Sequence, residues 1–248
     1  MINLLDSHTH TVVSGHAYST IDEMARYASE HGIKVLAFTE HGPAIENAPG
    51  RIYFGNFNII PREMYGIRVR FGIELNILDY DGTIDLKERE LLKQDLCVAS
   101  IHINCYEPGT VAQNTRAYEN VLKNPFVNII GHPDDGRIPV DYETLVCAAK
   151  ENHKLLEVNN HSVRPGSVRY EGAKENLVKM LELCKKYKQP IVMDSDAHYM
   201  ASIADTQFTM PIIKELGFPE ELIVNTDLNK YYEYCPLKEI EKQTQICQ

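Results

Sequence analysis

Seven short apolar runs recur along the chain, most of them followed by a segment of helical periodicity, and this alternation constrains the fold more than any other feature. The runs fall at 3–6, 34–39 ("KVLAFT"), 68–73 ("RVRFGI"), 96–101 ("LCVASI"), 127–130 ("VNII"), 154–158 ("KLLEV") and 190–193 ("PIVM"). Most are nearly continuous in apolar residues, as parallel strands covered on both faces require. Thr20 with Glu23 reads as a capped helix start and Gly32 as its stop, while 110–123, 141–152 and 171–188 carry apolar residues at helical spacing. A strand-then-helix repeat predicts a parallel sheet with right-handed crossovers, either doubly wound or closed into a barrel. Neither G-x-G-x-x-G nor G-x-x-x-x-G-K-[ST] occurs, so a nucleotide-binding wound sheet has no support from motifs.

The length of 248 residues suits one (β/α) barrel, and no Gly/Ser-rich linker divides it. The expectation is a single domain, with a barrel core over 3–225 and a helical tail over 226–248 whose polar end, "EIEKQTQICQ", frays. No apolar run approaches the roughly 20 residues that span a bilayer, and the N-terminus does not read as a signal peptide. The six cysteines are scattered without a C-x-x-C pair, which argues against a disulfide framework and a thiolate zinc site and fits a cytoplasmic setting. A net charge of −10 speaks against long nucleic acid as a partner.

Metal-capable residues fall where these runs end. His8 and His10 follow the first, His41 the second ("AFTEHGP"), Glu74 the third ("RFGIELN"), His102 ends "VASIH", His132 ends "IIGHPD", and Asp196 and His198 follow the last in "IVMDSDAH". In a (β/α) barrel the C-terminal strand ends meet on one face, where active sites are built. His16, in the loop after the first run, can fold over the same mouth. Seven histidines and two carboxylates exceed what one four-coordinate zinc takes, and a carboxylate such as Glu74 can bridge, so two or three ions are the natural count. Imidazole and carboxylate without thiolate suit Zn, Mn or Fe.

Together "HTH…H", "TEHG", "GIELN", "SIH", "GHP" and "SDAH" closely resemble the PHP domain family (polymerase and histidinol phosphatase). "HAYSTIDEMA", "FTEHGP" and "VNN" look most like its stand-alone YcdX-like phosphatase branch. The resemblance runs from about residue 6 to 225 and implies a distorted (β/α)7 barrel, TIM-like, with a trinuclear metal centre, often zinc, that cleaves phosphoesters. Carried over by position, His8, His10, Glu74 and Asp196 hold one ion. Glu74, His102 and His132 hold a second, and His16, His41 and His198 a third. A metal-bridging hydroxide then attacks the phosphorus of a small phosphorylated substrate. Three divalent ions bring about +6 against about −3 from two carboxylates and a hydroxide, so an acidic chain still offers a cationic pocket.

His161, in "VNNHS", departs from the small polar residue of that branch and is a candidate general acid. Arg169, in "GSVRYEG", and Arg62, in "IIPRE", are candidate phosphate ligands. His31 reads as a helix-end residue, His153 as structural on the barrel's stability side, and Cys105 as a packed small residue beside the pocket. The carboxylates of "LDYDGTIDLKERE" read as a solvated hairpin and helix start. A phosphodiesterase or nuclease activity, an amidohydrolase, and a metal-loaded binding module without catalysis are the alternatives.

Overall fold

The computed structural model describes residues 2–243. Its strands are β1 (Leu5–Thr9), β2 (Val35–His41), β3 (Glu63–Met64), β4 (Ile67–Asn76), β5 (Cys97–Ser100), β6 (Ile129–Ile130), β7 (Leu155–Asn159) and β8 (Ile191–Asp194). Seven of them pair in parallel in the order β1-β2-β4-β5-β6-β7-β8, and β3 adds an antiparallel flap to β4. The helices are α1 (Ile21–Glu30), α2 (Arg51–Phe54), α3 (Glu88–Leu91), α4 (Val111–Leu122), α5 (Tyr142–Glu151), α6 (Tyr170–Tyr187), α7 (Met210–Glu215), α8 (Leu228–Tyr234) and α9 (Glu239–Gln243). This is a distorted, nearly closed barrel: of the two arrangements that the alternation leaves open, it is the one that the resemblance implies.

The distortion has an address. Between β1 and β8 the ladder shrinks to one parallel bridge, Thr9 with Ala197. Side chains replace the rest: Asp194 accepts the backbone N–H of Ser7 at 2.6 Å, and Asp6 accepts that of Ser195 at 3.2 Å.

Along each strand, alternate residues enter two different cores, as the two-residue period demands. Leu5, Val35, Ala37, Leu96, Val98, Ile129, Leu155 and Val192 fill the barrel interior with Val224, Tyr231 and Cys235. Their neighbours, among them Leu36, Phe38, Ile73, Ile130, Leu156 and Met193, pack under the helices. In the same phase, the next inward positions toward the strand ends are polar: His41, Glu74, Asn76, Ser100, Glu157 and Asn159, all buried. An apolar floor therefore carries a polar mouth.

The strands run past the apolar runs that predict them, because those polar inward residues still pair in the sheet. β4 continues to Asn76 and β1 to Thr9. Thr20 and Thr110 each build a capping box, with Glu23 and Gln113. The helix expected over 171–188 starts later than its pattern: Glu171 (ψ 118) and Gly172 (φ 78) are not helical. Gly136 packs against that kink, where an added Cβ would lie 1.8 Å from the Glu171 carbonyl oxygen.

Two expectations are corrected. In the acidic stretch after β4, Asp79 and Asp81 are exposed, but Asp85 and Glu90 are buried. The C-terminal segment does not fray as far as Glu241, whose buried carboxylate takes Arg70 Nε at 2.8 Å, while Arg70 also holds the carbonyls of Cys235 and Asp95 at 2.9 and 2.8 Å. Desolvating a charge of either sign is costly unless it is paired and hydrogen-bonded, and here both conditions hold. The remainder of the predicted tail, 244–248 with Cys247, lies outside the described residues.

Candidate metal centre

Each strand end delivers its residue to one point. Glu74 Oε1 lies 3.3 Å from His8 Nε2, 3.2 Å from His102 Nε2 and 2.9 Å from His132 Nε2. Its Oε2 lies 2.5 Å from His41 Nδ1 and 3.6 Å from His10 Nε2. Asp196 Oδ1 is 3.2 Å from His10 Nε2 and 3.5 Å from His198 Nδ1. His16 reaches over the rim, its Nε2 at 3.2 Å from His41 Nε2 and 3.0 Å from His198 Nε2. The structure thus gathers all nine residues singled out in the sequence.

These donors face one another without protons enough to satisfy them. His8 Nε2, His10 Nε2, His41 Nδ1, His102 Nε2, Glu74 Oε2 and Asp196 Oδ1 are buried and lack a hydrogen-bond partner. Buried polar atoms are rarely left so, and a cluster of them that includes two acceptor-only carboxylate oxygens is the pattern a bound cation satisfies. Three overlapping triads bring their ligand atoms within 4.8 Å: His8/His10/Glu74, His41/Glu74/His102 and His10/His41/His198. Nitrogen and oxygen donors of this kind fit a divalent transition metal, and Glu74 is common to two of the triads.

A family model of the PHP domain matches residues 6–163. The chain belongs to the PHP domain family. A protein of Acetivibrio thermocellus named a probable phosphatase is 43% identical over 235 residues, covering 95% of this chain and 96% of that protein. One of Clostridium novyi with the same description is also 43% identical, covering 95% of each. The fold is similar to the histidinol phosphate phosphatase of Lactococcus lactis, solved with Zn, L-histidinol and phosphate, at 18% identity and a TM-score of 0.57 over 88% of this chain and 95% of that one.

In this PHP domain a second layer of side chains aims the first, and the sequence patterns above miss it. Glu157, inward on β7, accepts His8 Nδ1–H at 2.7 Å and the backbone N–H of His132 at 2.5 Å. Asn76 Oδ1 takes His102 Nδ1–H at 2.7 Å, and Asp85 in turn takes the Asn76 amide at 2.7 Å. Glu40 accepts Ser14 Oγ–H at 2.6 Å and the Thr11 hydroxyl at 2.6 Å, which fixes the loop that carries His16. The bonds to His8 and His102 decide which ring nitrogen carries the proton and leave the other to face the centre. Backbone strain helps: His132 (φ 28) and Asp196 (φ 55) occupy conformations that cost an L-residue about 1 to 3 kcal/mol and that cluster at functional sites. Just before His132, Gly131 leaves no room for a side chain, because a Cβ there would lie 2.2 Å from Ser100 Oγ and 2.8 Å from Val98 Cγ1. A carboxylate inside an apolar strand, in phase with the inward leucine two residues earlier, is the signal by which Glu157 is legible.

Electrostatics keep most of the centre, His8 excepted, in the form a cation needs. Burial opposes charge on Glu74 and Asp196, but His102, His8 and His41 around the first and Arg169 and His8 around the second hold both well below the usual carboxylate range. Burial, with His41 and His198 nearby, pushes His10 well down and lowers His16. His8 goes the other way: burial would lower it, but Glu157, Glu74 and Asp196 hold it well above the ordinary histidine value.

The remaining candidates separate clearly. His161 stands at the mouth, its ring 5.9 Å from that of His198. Arg169 is buried and bound to Asp196 Oδ2 through Nη2 and to Ser162 Oγ through Nε at 3.2 Å. Arg62 is not at the mouth: it pairs with Asp95 at 2.6 Å and caps the Phe57 and Ile60 carbonyls, a structural role. His31 closes the end of α1 on the Tyr27 carbonyl at 2.8 Å. His153 stacks on Tyr234 with ring centroids 4.1 Å apart. Cys105 is half-buried against the His102 carbonyl.

Proposed function

We propose that this protein is a metal-dependent phosphatase that hydrolyses a small phosphate ester at a trinuclear centre, with zinc as the ion. The observation that carries the proposal is the cluster of buried, unpartnered donor atoms around Glu74. The relatives named as probable phosphatases, and the zinc, L-histidinol and phosphate of the Lactococcus lactis neighbour, support it. His8, His10, Glu74 and Asp196 would hold one ion, Glu74, His102 and His132 a second, and His16, His41 and His198 a third. Bound there, the ions would supply Lewis acidity toward water and phosphoryl oxygens.

In the hydrolysis a bond forms between the water oxygen and phosphorus, the phosphorus–ester oxygen bond breaks, and a proton given up by that water ends on the departing alcohol. The chain's part is geometric. Glu157 and Asn76 fix the tautomers of His8 and His102, and Arg169 fixes Asp196. Arg169 commits Nε to Ser162 and Nη2 to Asp196, so Nη1 is the nitrogen left to meet a phosphoryl oxygen, in place of a grip through two nitrogens. Burial pushes His161 down to about 4, so at neutral pH it is an uncharged imidazole. In that form it hydrogen-bonds the leaving oxygen and does not serve as a stored proton. His161→Ala is expected to lower turnover about 10²-fold with metal content unchanged, read by steady-state kinetics beside elemental analysis. Unaltered turnover would remove it from the reaction.

Metal removal tests the whole proposal. The purified protein should contain about three divalent ions per chain, and chelation should abolish hydrolysis of aryl and alkyl phosphates, with recovery on adding zinc. It should also lower the melting temperature, because saturation at about 1,000 times the dissociation constant stabilises by about 4 kcal/mol. Metal near zero, or hydrolysis indifferent to chelator, would overturn it; cleavage of diesters alone would redirect it to the phosphodiesterase alternative.

A further inference from the structure

We propose that the pocket opening beside Asp196 and His198 is a leaving-group subsite for a flat aromatic ring that carries a negative substituent. This rests on the phosphatase function above and adds the substrate class. The pocket, of about 210 Å³, has Tyr18, His161, Arg164 and Tyr199 among its walls. An apolar cavity of about 150 Å³ holds benzene, so one substituted ring fits and an oligonucleotide does not.

The inference comes from sorting the pocket's walls by what their side chains already do. Several polar groups are occupied in building it. Asn160 Oδ1 accepts the backbone N–H groups of Phe208 and Thr209 at 2.9 and 3.2 Å. Ser195 gives its hydroxyl proton to Asp6, and Asp205 Oδ1 accepts the N–H of Gln207 at 2.8 Å. A sugar, recognised through many hydroxyl hydrogen bonds, would find these acceptors and the Ser195 hydroxyl already taken. Apart from the Ser202 hydroxyl, the Asn160 NH₂ and the second Asp205 oxygen, the groups left uncommitted among the described residues are two phenol rings and a guanidinium. Tyr18 is 76% exposed and Tyr199 46%, and among the described residues neither has a ring partner or a side-chain hydrogen bond. Arg164 likewise has no carboxylate partner among them. Rings pair with rings, and an arginine beside them attracts an anion.

The backbone that carries the two tyrosines is held in place. Tyr18 N–H donates to the His198 carbonyl at 2.8 Å, Met200 N–H to Ser19 Oγ at 3.0 Å, and Ser202 N–H to the Tyr199 carbonyl at 2.9 Å. Both rings therefore sit on backbone joined directly to the ligand segment 196–198. A ring bound against them would share its pocket with Asp196 and His198 of the candidate centre.

The test uses the metal-loaded enzyme and esters of matched reactivity. Benzyl phosphate should exceed cyclohexylmethyl phosphate about tenfold in kcat/KM, with the difference carried by KM, and 4-carboxybenzyl phosphate should exceed benzyl phosphate again. In Tyr18→Ala/Tyr199→Ala the first ratio should fall to near one, and in Arg164→Ala the second should. Equal kcat/KM for the flat and puckered esters, or ratios that survive these substitutions, would overturn the subsite and leave the phosphatase function standing. Hydrolysis of none of the three would overturn both.

Discussion

Replacing Glu74 with glutamine should remove turnover, by about 10⁴-fold or more, and leave fewer than two ions per chain. Glu74 lies within 3.6 Å of five imidazole nitrogens through its two oxygens. An amide of the same shape supplies no charge, and its NH₂ group would point a donor at nitrogens whose lone pairs are needed for a cation. The thermal behaviour should be equally diagnostic. In chelated protein the surrounding histidines more than offset the desolvation of this carboxylate, so the substitution should itself cost some stability there. In metal-loaded wild type the same carboxylate anchors the ions. The gap between loaded and chelated melting temperatures should therefore collapse in Glu74→Gln. A variant that keeps three ions and a normal gap would show that Glu74 is not the shared ligand.

What the sequence discloses of this architecture follows from distance along the chain. Strands of a parallel barrel are buried on both faces, so their apolar runs stand out, and the residue after each run is at the mouth by topology alone. His41, His132 and Asp196 are visible for that reason. Interactions between remote segments leave no local trace. Arg169 looks like a free phosphate ligand until the fold sets it on Asp196, 27 positions away. Arg70 and Glu241 are 171 positions apart and unremarkable singly. Asp85 hides for a different reason: it sits in an acidic stretch in which Asp79 and Asp81 are solvated, and only the fold turns it toward Asn76. Glu157 is the intermediate case. "KLLEV" reads correctly as a strand, and the period of two already places its carboxylate inward; what the run does not show is that His8 waits there.

That pairing makes Glu157 the second position of large effect. Glu157→Gln should weaken metal binding about 10- to 100-fold while the protein stays folded. The carboxylate, fully buried, can only accept, so it requires the proton of His8 to be on Nδ1 and leaves Nε2 bare toward the centre. A glutamine can turn its NH₂ toward Nδ1, which moves the proton to Nε2 and disables the ligand. The orientation that would keep the His8 tautomer must also still accept the His132 backbone N–H, a conflict the carboxylate does not face. Proton counting separates this mechanism from simple loss of packing. Glu157, with Glu74 and Asp196, also holds His8 above the ordinary histidine value, so in metal-free protein near neutral pH a second proton sits on Nε2, and an ion that binds there must displace it. The variant, with one carboxylate fewer, should bind more weakly and release about one proton less, measurable by calorimetry in buffers of different ionisation enthalpy. Weaker binding with unchanged proton release would mean that Glu157 supports the barrel and does not set the charge on His8.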